Sequence, residues 1–236
     1  MAAFPAVHGL TFPAYQRAPL EEPPEGGRWP LIVFSHGVGC SRLMYTQICG
    51  ELASRGFVVA AVEHRDGTGP SAIVIGEDGK ERPVEFLRWN KLESVSFPSS
   101  SGRTTETCAD GCRWPDLPPD QQPENDTTLR HDQLKIRLIE LQATIDALKQ
   151  IDTGEIGTKG RLQASRTYDW TQWANKLQTG DGRIGLAGHS FGGTAVLAAA
   201  DDERFSPSNL IIMDPAIQRE FQVSSSKFQF VQPHKA

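Results

Sequence analysis

The residues best suited to chemistry lie in the stretch Arg183–Ala200, RIGLAGHSFGGTAVLAAA. Its centre, Gly188–Gly192, matches the pattern G-x-S-x-G around a nucleophilic serine. An apolar strand, Ile184–Ala187, precedes the motif, and an Ala-rich helix predicted to begin near Gly193 follows it. The strained turn tolerates only small residues two positions on either side of the serine. The pattern therefore predicts that Ser190 is a nucleophile at a helix N-terminus, where N–H groups favour developing negative charge; an ordinary Gly-rich turn is the alternative.

A second turn of small residues, Ser35–Gly39, follows the apolar run Leu31–Phe34, which is typical of a buried parallel strand. Acyl transfer needs backbone N–H groups that stabilise the oxyanion of the tetrahedral intermediate. The residue after the nucleophile supplies one of them, here Phe191, and a loop after an earlier strand supplies the other. We assign the second donor to the N–H of Val38; the alternative is a plain strand-to-helix turn.

A carboxylate follows another apolar run, Asn209–Met213. In the chain order Ser, then Asp or Glu, then His, Asp214 takes the place of the acid that orients the histidine, although an Asp-Pro turn could also simply end the strand. One histidine follows, His234, in a polar tail that offers no rigid support, and we keep it as a candidate base. His189, inside the motif, is expected to help fix the turn around Ser190.

The elements between these motifs predict a parallel sheet. Leu43–Arg55 is predicted to form a helix closed by Gly56, and Phe57–Val62 a buried strand. Strand, helix and strand in this order imply a right-handed crossover between parallel strands. His64 and Asp66 follow the second strand, where catalytic groups collect, but we favour a charged network that holds loops together.

The middle of the chain is harder to interpret. Residues 67–128 are too long for an ordinary connection and predict either a functional cap or an insertion without fixed structure. An apolar patch there could line an acyl or lipid entry, or form a small satellite cluster. Its members are Val84, Phe86, Leu87, Trp89 and Phe97. Leu129–Ile151 has one apolar stripe at helical spacing, and Tyr168–Leu177 is predicted as another helix.

Composition limits the classes of function. The net charge of -5, with no basic stripe, argues against nucleic acid as a partner. Mean hydropathy is -0.39, no apolar run approaches the roughly 20 residues that span a bilayer, and the N-terminus lacks a secretory pattern. Four scattered cysteines define neither a disulfide framework nor a metal site. We therefore expect a cytoplasmic protein without a cofactor or metal.

These patterns predict one α/β domain over residues 1–236, with a mostly parallel sheet and helices on both faces. Residues 1–30 are expected to form an extended lead-in, residues 67–128 the long insertion or cap, and residues 216–236 a divergent tail.

The motifs together resemble the platelet-activating factor acetylhydrolase family of α/β-hydrolases, with fungal-like intracellular members most similar. The matching motifs are Ser35–Gly39, Glu63–Asp66, Gly188–Gly193 and the Asp after Ile211–Met213. The resemblance extends over about residues 28–215. It implies a serine esterase without metal that releases a short sn-2 acyl group from a phospholipid. It also implies Ser190 as nucleophile, Asp214 as acid, and Val38 and Phe191 as oxyanion donors. Transient contact with a membrane surface is a separate expectation.

The ends of the chain differ from the family pattern. The family has further strands before Leu31, and two strands and a histidine-bearing loop after the acid, whereas a short polar segment follows Asp214 here. The expectation is a form truncated at both ends, with an unpaired apolar edge at Asn209–Met213. Two alternatives to the family's activity stay open at this point: a general carboxylesterase on the same fold, and a catalytically impaired form that only binds lipid or a partner.

Overall fold

The computed structural model describes residues 14–15, 18–75, 80–86, 126–155, 169–205 and 209–216. Its strands are β1 (Leu31–Ser35), β2 (Val58–Ala61), β3 (Ser71–Ile75), β4 (Glu81–Glu85), β5 (Ile184–His189) and β6 (Leu210–Met213). Its α-helices are α1 (Thr46–Ser54), α2 (Asp126–Thr153) and α3 (Phe191–Asp201).

Four of these strands form one parallel sheet in the order β2-β1-β5-β6. The register aligns their carboxyl ends, since Ser35 lies opposite Gly188 and His189 lies opposite Met213. The loops that follow β1, β5 and β6 therefore leave the sheet at the same edge, where α/β proteins place their sites. The predicted α/β-hydrolase fold, with a mostly parallel sheet, is confirmed.

Helices cover both faces of the sheet. Alternate residues of each buried strand point to opposite faces, so each face presents apolar side chains that need a covering layer. Ile32 and Phe34 of β1 pack with residues of α1 such as Ile48. Leu31 and Val33 pack on the other side, in the larger core built with α2 and α3. The central strand β1 is buried along its whole length and is apolar from Leu31 to Phe34 because both of its faces are covered.

Helix α2 carries the apolar stripe that the sequence predicts. Leu141 and Ile145 are buried in the larger core. Leu134, Leu138 and Leu148 pack against that core as half-buried residues. The helix begins at Asp126, inside the segment 67–128 that the sequence assigns to an insertion or cap.

Other boundaries differ from the sequence prediction for local reasons. The helix predicted over Leu43–Arg55 is a 3₁₀ turn, Arg42–Tyr45, followed by α1, and Gly56 ends it with a positive φ of 88°. The segment predicted as a helix over Tyr168–Leu177 contains only a 3₁₀ turn, Trp170–Trp173, capped by the Asp169 side chain; Tyr168 itself lies outside the described ranges.

Part of the long insertion is a β-hairpin. Strands β3 and β4 pair antiparallel, with Ala72 opposite Val84. Val84 and Phe86 of the predicted apolar patch are half-buried. Leu87, Trp89 and Phe97 lie outside the described residues, so the lining of an acyl entry stays a prediction.

The packing of α2 can be tested with two substitutions on one helix. Leu141→Ala leaves a cavity in a side-chain site that is 0% exposed, so we expect the free energy of unfolding to fall by about 2–5 kcal/mol. Ile139→Ala is the matched control, because Ile139 is 60% exposed and should change stability by about 0.5 kcal/mol or less. Urea unfolding followed by circular dichroism measures both; equal losses would contradict the assigned helix face.

Candidate active site

Ser190 lies in the turn between β5 and α3, in a backbone conformation that L-residues rarely adopt. Its φ is 54° and its ψ is -123°. The turn is held on both sides, because the Ser190 N–H donates to the Met213 carbonyl at 2.9 Å and the Ala216 N–H donates to the Ser190 carbonyl at 3.1 Å. A non-glycine residue persists in such a conformation only where the surroundings enforce it, and such strain collects at functional sites.

The two motif glycines are required by the closeness of the backbone around the turn. A Cβ at Gly188 would lie 2.3 Å from the carbonyl oxygen of Gly192. A Cβ at Gly192 would lie 2.1 Å from the carbonyl oxygen of Ser35, at the end of β1. Both distances are far inside van der Waals contact, so the turn is packed against β1 more tightly than any side chain would allow.

Asp214 follows β6 directly, with a positive φ of 41°. The preceding residue, Met213, is the register partner of His189 and accepts the Ser190 N–H. Ser190 and Asp214 are therefore the first residues after a matched pair on neighbouring strands. This placement is compatible with the predicted acid role, which stays a prediction, and His234 lies outside the described residues.

The predicted oxyanion loop lies beside the nucleophile. A Cβ at Gly37 would be 3.1 Å from the Ser190 Cβ, so the loop after β1 touches the serine directly. Val38 is the next residue and is half-buried. Phe191 is the first residue of α3, a position whose N–H has no partner within a helix. Val38 thus follows the glycine that lies against Ser190, and Phe191 follows Ser190 itself; their role as oxyanion donors stays a prediction.

A buried arginine side chain, Arg137, contacts the loop after β1. Arg137 of α2 is completely buried, and its guanidinium donates to Asp66 at 2.7 Å, to the Thr68 hydroxyl at 2.6 Å and to the carbonyl of His36. The guanidinium carbon also lies 4.7 Å from the centre of the Phe191 ring, within cation–π range. One side chain therefore contacts both elements that carry the predicted oxyanion donors.

The same region contains a buried arrangement of a serine, a histidine and a glutamate. The Ser35 hydroxyl lies 2.8 Å from Nε2 of His64, and Nδ1 of His64 lies 2.8 Å from the Glu140 carboxylate. This has the order of a catalytic triad, but Ser35 and His64 are both 0% exposed. The expectation that His64 and Asp66 form a charged network agrees with this burial, because a substrate has no route to a buried hydroxyl.

Burial determines the charge states in the network. It lowers the pKa of His64 well below its usual range, helped by the Arg137 guanidinium, and it also lowers the pKa of His36. Burial alone would raise the pKa of Asp66, but Arg137, His64 and the Thr68 hydroxyl together hold it below its usual range. The network at neutral pH is therefore an ionised Asp66–Arg137 pair beside neutral imidazoles.

Sequence reasoning missed Tyr45, Arg137 and Glu140. The available signal was the polar set Gln133, Arg137 and Glu140 at helical spacing next to the apolar stripe of α2. All three are buried with that stripe. Charged residues on the buried flank of a helix need partners, and the charged residues after β2 were the candidates.

Neither a metal site nor a membrane span is present in the described ranges. No cluster of three or more His, Cys, Asp or Glu side chains there is placed to bind a metal ion. No described helix combines the length and the apolar character needed to cross a bilayer.

Comparisons with known proteins agree on one family. A family model described as platelet-activating factor acetylhydrolase, isoform II, matches residues 3–218. The chain is similar to proteins named platelet-activating factor acetylhydrolase from Gallus gallus, at 30% identity over 197 residues, and Canis lupus familiaris, at 31% over 232 residues. The alignments cover 84% and 94% of this chain but 40% and 45% of the relatives. The chain therefore spans less than half the length of these curated relatives.

The steric requirement at the turn gives a direct test. Gly192→Ala places a methyl group 2.1 Å from the Ser35 carbonyl, so we expect the turn to rearrange and the protein to lose stability or fail to fold. Gly180→Ala is the control, since its Cβ would meet only Arg183 Cγ at an ordinary 3.6 Å. Thermal unfolding and soluble yield report the difference; a Gly192→Ala protein as stable as the control would contradict the described packing.

The buried histidine predicts how stability changes with pH. Because the folded pKa of His64 is depressed, the unfolded state binds the proton first as pH falls below about 6.5, and stability is lost by up to about 1.4 kcal/mol per pH unit. His64→Gln removes this proton uptake, so its unfolding free energy should fall less steeply between pH 7.5 and 5.5.

Urea unfolding at several pH values makes this measurement. The raised pKa of Glu140 acts with the opposite sign and the lowered pKa of His36 with the same sign. Both groups are present in both proteins, so the difference between the two curves reports His64 together with its contact to Glu140. His131→Gln, at an exposed position of α2, controls for the loss of a histidine. Parallel pH curves for wild type and His64→Gln would refute the neutral buried state.

Proposed function

The chain belongs to the platelet-activating factor acetylhydrolase, isoform II, family, and we propose on this basis that it carries the nucleophile of a serine ester hydrolase acting on phospholipids. The observation that supports this most directly is the strained Ser190, with φ of 54° at the end of β5 and the N-terminus of α3. Such a turn presents a hydroxyl at the edge of a parallel sheet, where a nucleophile elbow requires it.

In the proposed reaction, the Ser190 Oγ attacks the carbonyl carbon of the ester while a general base takes its proton. The N–H groups of Val38 and Phe191 donate to the oxygen that becomes negative in the tetrahedral intermediate. The intermediate collapses as the protonated base gives its proton to the departing sn-2 alcohol. The same base then takes a proton from water, which attacks the acyl carbon, releases the acid and returns the proton to Ser190 Oγ. Asp214 would fix the tautomer of the base and stabilise its protonated form.

Three histidines of the described part of the chain are unsuited to act as the general base. His64 and His36 are buried, and Nδ1 of His189 is bonded to the Tyr45 hydroxyl at 2.7 Å. His234 follows Asp214, as the chain order requires, and is our candidate within this chain.

The proposed substrate is a 1-alkyl-2-acetyl-glycerophosphocholine, hydrolysed at its sn-2 acetyl ester. The support is the name that the relatives carry, together with a family match over almost the whole chain. A cytoplasmic location and transient contact with a membrane surface stay predictions from the sequence.

The proposal predicts that Ser190→Ala abolishes acetate release from this substrate. Loss of a triad member typically lowers turnover by ~10⁴–10⁶, because the covalent step is lost. Ser35→Ala is an informative comparison, since Ser35 also contacts a histidine but is 0% exposed. We expect Ser35→Ala to retain acetate release, and a fluorophosphonate to label Ser190 in it.

Each result has a defined meaning. Equal acetate release by wild type and Ser190→Ala would refute Ser190 as the nucleophile. Faster turnover of simple aryl esters than of the acetyl phospholipid would indicate a general carboxylesterase. No hydrolysis by folded wild type would refute activity for this chain. Where the wild type is active, loss of hydrolysis in His234→Ala would support His234 as the base, and unchanged hydrolysis would exclude it.

A further inference from the structure

Tyr45 connects the two halves of the candidate site. It ends the 3₁₀ turn before α1, and its ring packs on Phe34 with ring centres 4.9 Å apart. Its hydroxyl oxygen accepts the Gly37 N–H at 3.1 Å and lies 2.7 Å from Nδ1 of His189. Gly37 belongs to the predicted oxyanion loop, and His189 directly precedes Ser190.

The position of Gly37 is sensitive to this bridge. The space next to its Cα is closed, because an added Cβ would lie 3.1 Å from both the Tyr45 hydroxyl and the Ser190 Cβ. Gly37 therefore lies between the tyrosine and the nucleophile, and Val38 is the next residue along the chain. Moving Gly37 by even a fraction of an ångström changes the direction of the Val38 N–H relative to Ser190.

The tyrosine is suited to a fixed role. Burial, with the Cys40 thiol beside it, raises the pKa of Tyr45 to about 12, so the hydroxyl keeps its proton at neutral pH. A protonated hydroxyl can accept from Gly37 and still share its proton with the imidazole of His189. The ring is also tilted against the His189 ring, with centres 5.6 Å apart.

We propose that Tyr45 is a positioning residue for ester hydrolysis at Ser190, and this rests on the function proposed above. Its hydroxyl ties the Gly37 N–H to Nδ1 of His189, and thereby fixes the Val38 N–H against the nucleophile turn. Tyr45 does not touch the reacting atoms in this role; it acts through the loop that does.

Tyr45→Phe tests the proposal, because it keeps the ring packing and removes only the hydroxyl. We expect kcat to fall about 10- to 100-fold, less than the ~10²–10³ typical of deleting an oxyanion donor outright, with KM changed less than about twofold. Tyr15→Phe is the matched control, since Tyr15 is 90% exposed. A kcat for Tyr45→Phe within twofold of wild type, or a loss confined to KM, would overturn the proposal.

A double-mutant cycle separates the bridge from general packing. His189→Asn keeps a side-chain amide able to bond the hydroxyl, and His189→Leu does not, so we expect Asn to restore part of the kcat lost in Leu. In the Tyr45→Phe background, His189→Leu should cost little more, because both changes break one bridge. Fully multiplicative losses would show that the two residues act independently and would overturn the proposal.

Amide hydrogen exchange gives a readout that does not need activity. Tyr45→Phe should speed exchange at Gly37 and in the Gly37–Gly39 segment, while Tyr15→Phe should not. If wild type hydrolyses no ester, the proposed function fails, and exchange still decides whether Tyr45 holds the loop. Unchanged exchange at Gly37 in Tyr45→Phe would overturn the positioning role itself.

Discussion

The contact between the nucleophile turn and the end of β1 is the constraint on which the candidate site depends. With a Cβ excluded at Gly192 by the Ser35 carbonyl, the start of α3 lies directly on the strand end. In this packing Ser190 has a positive φ, and the loop after β1 is in contact with it. Strain at the serine is therefore maintained by packing between neighbouring strands, and the turn cannot relax without separating β1 from β5.

The buried network around Arg137 explains how two loops and one helix end can hold their positions under this strain. A buried ion pair is costly to desolvate, and it is retained where further hydrogen bonds satisfy both charges. Arg137 and Asp66 meet this condition through Thr68 and the His36 carbonyl. The pair adds directional contacts at a place where apolar packing alone would leave the loop after β1 free to shift.

The sequence predicted the local parts of this arrangement and missed the long-range parts. The four strands of the parallel sheet, the turn around Ser190 and the apolar stripe of α2 follow from patterns within a few residues, whereas the hairpin strands β3 and β4 were not predicted. The bonds of Arg137 to His36 and of Tyr45 to His189 join residues 101 and 144 positions apart. No local pattern encodes such pairs, and a tyrosine among half-buried residues at the start of α1 looks like ordinary packing.

Short 3₁₀ segments are a second reason why the observed secondary structure differs from the predicted one. The Tyr168–Leu177 region has aromatic residues that suggested a helix, but the Asp169 side chain caps a single turn and the chain then runs on as a β-bridge at Leu177 to Trp29. Tertiary contacts with the N-terminal segment override the weak local preference there. They include the hydrogen bonds that the Arg28 guanidinium donates to the Asn175 side chain and to the Leu177 carbonyl.

A comparison of Ser35 with Ser190 shows that a serine needs a route for the substrate as well as hydrogen-bond partners in order to react. Ser35 has the more complete relay, with His64 and Glu140 in line at 2.8 Å each, yet it is sealed beneath the loop. Ser190 is half-exposed and lies at a helix N-terminus, in contact with the loop after β1. A relay that is buried and fully bonded stabilises the fold, because every member already has its partner. A serine that acts as the proposed nucleophile must instead keep an open side for the ester carbonyl. In the proposed reaction the positioning of its donors would then depend on neighbours such as Tyr45 and Arg137.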